Sequence, residues 1–279
     1  MEAITRRALA ALLALALAAA GTTAGAQPPA QAPAAQAATT GTQALARELL
    51  THMALFLAQA PRFSVTLVSG YDAVQADGRK IEFGDRRKVT LSRPAQLRVD
   101  TERGDGGHVF GFFTGQQIVL VDVPNRVYAT TPQPDGVDES IVHLISDLGV
   151  RLPLAMLLST RLPAELDRRV RSVDYVEKTN LLGTPAHHLS VRGDTVDFQV
   201  WIADGAQPVP LRVVIDYRDE PGQPQFRALL ADWNFAPTIT DATFTPSYPQ
   251  GARKIAFATQ LAAAARAEGR TPTAKGGQQ

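Results

Sequence analysis

Apolar residues change their period several times along this chain, and each change marks a new kind of element. From Thr42, the residues Leu45, Leu49, His52 or Met53, Phe56 and Leu57 recur three and four apart, which predicts a helix with Thr42 as N-cap and Pro61 as its stop. After Pro61 the period falls to two. Phe63, Val65 and Leu67 alternate with Ser64, Thr66 and Val68 in a strand, and Asp77-Gly78 supplies a hairpin turn. A strand with Ile81 and Phe83 runs on to Val89 and Leu91 and breaks at Arg93-Pro94. Leu97, Val99 and Thr101 form the next strand, and Arg103 to Gly107 turns the chain again. Short strands over Val109–Phe113, Ile118–Val123 and Arg126–Thr130 complete an antiparallel meander.

The period becomes helical once more between Pro134 and Arg169. Asp138, Ile141, Val142, Leu144, Ile145 and Leu148 predict an amphipathic helix closed by Gly149; Pro153 leads a second with Leu154, Met156, Leu157 and Leu158, and Pro163 opens a third. Strands resume over Val173–Lys178, His187–Val191, Val196–Ile202, Leu211–Tyr217 and Phe226–Phe235, with turns at Leu182-Gly183, Gly193-Asp194, Asp204-Gly205 and Pro221-Gly222. Phe244, Ile255 and Phe257 offer a last edge. About ten or eleven strands at this spacing make a mainly β fold. So wide an antiparallel sheet must curl, and the apolar insert needs a surface to cover. The expected architecture is an open half-barrel, with an N-terminal helix and a helical insert over its concave face.

The ends read differently. Arg6 and Arg7, the Ala/Leu run from Ala8 to Ala20 and Ala24-Gly25-Ala26 form the three parts of a secretory signal over residues 1–26. The apolar run falls short of the roughly 20 residues of a membrane span. Residues 27–41, rich in Ala, Pro, Gln and Thr, are expected to be a disordered linker, residues 42–258 the folded domain and residues 259–279 a flexible tail. The expected location is the periplasm, with the mature chain exported and soluble.

Composition then removes whole classes of function. With 28 Lys+Arg against 27 Asp+Glu the net charge is +1, so no basic footprint points to nucleic acid. The chain has no cysteine, which excludes disulfides, thiolate metal sites and a cysteine nucleophile. The Gly-x-Ser-x-Gly elbow, the P-loop and the His-Glu-x-x-His motif are absent, and Gly104-x-Gly106-Gly107 lies between strands as a turn. His187 and His188 are neighbours on a strand, so their side chains diverge and cannot share a metal; one packed and one exposed histidine is expected. Asp197, Gln199 and Trp201 share the face opposite Phe198, Val200 and Ile202, which reads as a solvent face with Trp201 covering a neighbour, a polar site being the alternative. Trp233 sides with Leu229 and Phe235 by the same alternation. No carboxylate pair has the spacing for acid–base work. Neither a metal nor a cofactor is expected, nor is catalysis.

Several segments in order carry a family resemblance: Phe63-Ser64-Val65-Thr66, Ile81-Glu82-Phe83-Gly84, Arg93-Pro94 with Leu97-Arg98-Val99, Val127-Tyr128-Ala129-Thr130, and Leu152-Pro153-Leu154 with Leu157-Leu158. His187-His188-Leu189, Asp197 to Ile202, Pro208 to Leu211 and Asp232-Trp233-Asn234 continue it. From about Leu45 to Phe257 the chain resembles the DUF2092 family of predicted periplasmic proteins. More distantly, the strand–Arg-Pro–strand layout resembles the LolA/LolB lipoprotein carriers, whose half-barrels receive acyl chains beneath helices. In those carriers the arginine of the Arg-Pro pair helps hold the lid closed, so the resemblance implies Arg93 as a latch. The chain departs from the carriers in its longer second half and in placing Val99 and Asp100 where they carry an aromatic.

These readings converge on a non-catalytic binder or carrier of a lipid or other hydrophobic ligand. An alternative is a sensor module that docks an envelope membrane protein. The expected cavity is lined by Phe63, Val65, Leu67, Val89, Leu91, Leu97, Val99, Phe198, Val200 and Trp233. Its expected lid carries Ile141, Leu144, Ile145, Leu154, Leu157 and Leu158, with Arg93 as latch at the strand end that precedes Pro94.

Overall fold

The computed structural model describes residues 33–147, 152–181 and 183–256. The expected signal, residues 27–32 of the expected linker, the expected tail, and Leu148, Gly149, Leu182 and Phe257 lie outside the described residues. Helix α1 (Pro33–Gln59) precedes a meander of β1 (Arg62–Val74), β2 (Lys80–Ser92), β3 (Gln96–Arg103), β4 (His108–Thr114), β5 (Gln117–Asp122) and β6 (Val127–Pro132). The insert holds α2 (Val137–Val142), a π-helical turn at His143–Asp147, a 3-10 turn at Ala155–Leu158 and α3 (Leu162–Arg169). The chain then forms β7 (Val170–Leu181), β8 (Thr184–Gly193), β9 (Asp197–Ala203), β10 (Pro210–Asp216), β11 (Gln225–Asn234) and a short β12 (Arg253–Ile255).

The twelve strands among the described residues belong to one open sheet, ordered β12-β6-β5-β4-β3-β2-β1-β11-β10-β9-β8-β7. The two meanders meet where β1 pairs with β11, and β12 alone runs parallel, beside β6. The sheet thus has the expected open half-barrel form. Its short last strand falls at Ile255, one of the residues that offered a last edge in the sequence, while Phe244 lies in a 3-10 turn instead.

The helices differ from the sequence expectation in two places. Helix α1 begins at Pro33 rather than at Thr42, taking in residues 33–41 of the expected linker. Alanine is the strongest helix former, and Ala-rich sequence extends a helix that packing has already nucleated. The insert helix expected from Asp138 onward changes from α to π hydrogen bonding at His143.

The concave face is shared between two coverings. Helix α1 packs over β7 and β9, burying Ala46, Leu50, Met53, Ala54 and Leu57. Ala46, Leu50, Met53 and Leu57 follow the 3.6-residue period, which is why this face and not another turns to the sheet. The insert covers the strands on the other side of β1. On the convex face, Phe112, Val119 and Val121 form a second buried cluster. The 3-10 turn Asp241–Phe244 lies against β3 and β4 there, where the Arg98 guanidinium donates to the Thr243 carbonyl and sits over the Phe110 and Phe112 rings.

Candidate functional site

Strand register arranges the concave face in rows. One row runs Phe63, Leu91, Leu97, Phe113 and Ile118 across β1 to β5; the next runs Val65, Val89, Val99, Gly111 and Leu120; the third begins Leu67, Arg87, Thr101 and Val109. Rows are two residues apart, about 7 Å along the strands. The insert closes over them with Ile141 and Leu144 from the first helical stretch and Leu154, Leu157 and Leu158 from the second, leaving a cavity of about 270 Å³.

Phe63, Val65, Leu67, Val89, Leu97, Val99 and Trp233 of the expected lining do line this space, as do Ile141, Leu144, Leu154, Leu157 and Leu158 of the expected lid. Four expected positions lie elsewhere. Leu91 is fully buried in the packed end of the floor, and Val200 is buried in the core on the α1 side of the sheet. Phe198 lines a separate cleft with Met156, Leu162 and Val170. Ile145 points outward at 43% exposure, because Ile141 and Leu144, three apart, take the inward direction. Period alone cannot tell which stretch of a half-barrel face lies under α1 and which under the insert.

The structure also brings in residues that the pattern did not single out: Arg87, Thr101, Val109, Gly111, Phe113, Leu120, Leu152, Pro153, Ala155 and Leu230. Val109, Gly111 and Phe113 alternate on β4, and that alternation was the available signal. Gly111 leaves a side-chain position in the floor unfilled. A Cβ added there would come nearest to Leu120 Cδ2 at 3.4 Å and Val99 Cβ at 3.8 Å, ordinary van der Waals distances. Trp233 reaches the cavity through a β-bulge. Asp232 adopts φ +55°, and the register shifts between Ser64 and Thr66, so Trp233 joins Leu230 on the concave face while Leu229 faces out. Simple alternation had grouped it with Leu229. The indole donates to the Pro210 carbonyl at 3.1 Å and its ring packs 5.4 Å from that of Phe63.

Arg93 sits where three segments end. Its Nε donates to Ala60 O at 3.0 Å, Nη2 to Leu57 O at 3.3 Å and Nη1 to Leu158 O at 2.8 Å. The first two carbonyls lie just beyond and in the last turn of α1, at the negative end of its dipole; Leu57 O also accepts from the Ala60 N–H at 3.3 Å. The third belongs to the lid. Asp138 of α2 stands 3.9 Å away and itself accepts from the Thr160 N–H at 3.1 Å. Burial pulls the guanidinium pKa below its ordinary value, and Asp138 offsets part of that shift. One side chain therefore ties β2, α1 and both halves of the lid together.

The remaining candidates are local. His187 contacts Tyr175 Oη at 3.0 Å and Asp204 at 3.2 Å, whereas His188 bonds Gln199 at 3.0 Å and stacks on Trp201 at 4.0 Å. The two rings diverge, but neither is exposed: their side chains are 16% and 12% accessible, because Trp201 and Tyr175 cover them. Trp201, under the Arg212 guanidinium, covers its neighbours on the outer face while Val200 and Ile202 are buried behind it. Among the described residues no three His, Asp or Glu side chains approach closely enough to hold a metal. No described helix is long and apolar enough to cross a membrane.

A curled open sheet whose helical insert roofs an apolar cavity defines the class: a lidded half-barrel. The chain belongs to the DUF2092 family of predicted periplasmic proteins, whose model matches residues 46–258. No curated protein matches it. Among solved structures it is similar to LprF from Mycobacterium bovis, at 14% identity over 71% of this chain and 97% of that one, TM-score 0.46. It is also similar to the Mycobacterium tuberculosis lipoprotein LppX, at 14% over 75% and 100%, TM-score 0.40. A LolA superfamily protein from Nitrosomonas europaea is similar at 12% over 72% and 97%, TM-score 0.38.

Proposed function

We propose that the protein is a non-catalytic periplasmic binder or carrier that holds one acyl chain, or a similarly slender hydrophobic ligand, between the sheet and the helical lid. The observation that carries this reading is the cavity itself, lined almost wholly by aliphatic and aromatic side chains and roofed by an insert that Arg93 ties down. Each methylene buried there gains roughly 0.8 kcal/mol, so affinity needs no reacting group. A volume of about 270 Å³ lies just below the roughly 300–1,000 Å³ usual for ligand pockets, which favours a single chain over a multiply acylated cargo. Arg93 acts as the latch whose opening admits and releases the ligand.

A fluorescent fatty acid should bind the purified protein with one site per chain and be displaced by natural single-chain lipids. Failure of every acyl ligand to bind a protein that unfolds cooperatively would remove the carrier reading.

A further inference from the structure

The cavity is apolar everywhere except at one end. Of the side chains that line it, only Arg87 and Thr101 carry polar groups that are free to meet a ligand, since the Trp233 indole is already bonded to Pro210. Arg87 and Thr101 are direct cross-strand partners on β2 and β3, in the row furthest from Arg93. Asp85 accepts from Arg87 Nε at 3.1 Å and from Nη2, and also accepts from Ser69 Oγ. That carboxylate fixes one edge of the guanidinium. Nη1 has no partner among the described residues, and neither has the Thr101 hydroxyl. An arginine that lines an apolar space, is held along one edge by a carboxylate and keeps Nη1 unpaired can take a second oxyanion.

Resting on the acyl-chain reading above, we infer that Arg87 and Thr101 form a headgroup subsite for an acidic single-chain lipid, with a fatty-acid carboxylate at Arg87 and its chain running along β2 towards Arg93. From Arg87 to Leu91 the floor extends about 13 Å, all of it apolar beyond the Arg87–Thr101 row. The two ends of the cavity thereby divide the work, one selecting the head and the other controlling the lid.

The test compares laurate with dodecanol, which share a chain and differ in the head, by displacement of a fluorescent acyl probe. The wild-type protein should prefer laurate by about tenfold or more, the effect of a charge-assisted hydrogen bond. Arg87→Gln should erase that preference by weakening laurate far more than dodecanol, and Thr101→Val should reduce it. Because Arg87→Gln leaves Asp85 unpaired, the double variant Asp85→Asn/Arg87→Gln provides the same comparison without an orphaned carboxylate, with thermal unfolding followed on every sample. Equal affinity for laurate and dodecanol in the wild type, or a preference that survives in both Arg87 variants, would overturn the subsite and leave the apolar cavity standing. Binding of neither compound would overturn the acyl-chain reading itself, and the subsite with it.

Discussion

Arg93 concentrates three hydrogen bonds on one guanidinium that is only 12% exposed, and two of them reach carbonyls at the C-terminal end of α1. A hydrogen bond to a charged group contributes about 1.5–3 kcal/mol net, and the one that closes the lid is the single bond to Leu158. Arg93→Leu should therefore lower thermal stability through α1 and also speed ligand release roughly tenfold. Arg93→Lys, a point charge without the planar fork, should recover part of the stability and little of the slow release. Equal release rates in stopped-flow dissociation would make Arg93 a helix cap alone. Asp72 offers a separate test away from the cavity. The Arg227 guanidinium, bonded at 2.8 Å, holds its carboxyl below the usual carboxylate range, burial opposes this, and the Gln225 N–H supports it. A carboxylate with a depressed folded pKa stabilises above its unfolded value of about 3.9 and loses that contribution as pH falls through the folded value. Wild type should thus melt higher than Asp72→Asn at pH 7, and the gap should close as the pH is taken down towards 2.

At the scale of elements, the C-terminal segment returns across the convex face, and Phe244, 4% exposed, is its anchor against β3 and β4. Phe244→Ala should cost roughly 3–5 kcal/mol in chemical denaturation while the concave cavity keeps its ligand affinity. Loss of affinity in a folded Phe244→Ala protein would show that the two faces are coupled. The strands were legible in the sequence wherever one face is buried, since alternation in Phe63-Ser64-Val65-Thr66-Leu67 both identifies the strand and fixes which residues point inward. The insert's apolar character was legible too, but not its break into α, π and 3-10 turns, because Ile141, Leu144 and Ile145 satisfy one helical stripe on paper and only packing decides that Ile145 turns out. The bulge at Asp232 was hidden for a similar reason. One added residue reverses the alternation after it, and nothing in Ala231-Asp232-Trp233 announces the insertion beyond aspartate's tolerance of positive φ. Arg87 was overlooked although it alternates with Val89 and Leu91, since a charged residue in an apolar row is recognised only after the row is known to face a cavity.

For the whole molecule, a single sheet is covered in two different ways. Over β7 and β9 helix α1 packs directly on the sheet, with Leu57 and Ile202 fully buried; over β1 to β5 the insert stands off the sheet and leaves a cavity. Close packing stabilises, so a domain that leaves apolar surface unfilled forgoes contacts that a larger residue at Gly111 would restore. That unfilled space is where the proposed ligand would sit. Trp233 lies in it and Trp201, the chain's other tryptophan, lies on the outer face, so Trp201→Phe gives a protein whose emission reports the cavity alone. In that background the most direct measurement is a titration with laurate, with and without Gly111→Leu. The account predicts a saturable change in Trp233 emission at one ligand per chain, and its loss in Gly111→Leu with thermal stability equal to or above that of the parent. Undiminished laurate binding by a stably folded Gly111→Leu protein would contradict it, because the ligand would then be held somewhere other than between the sheet and its lid.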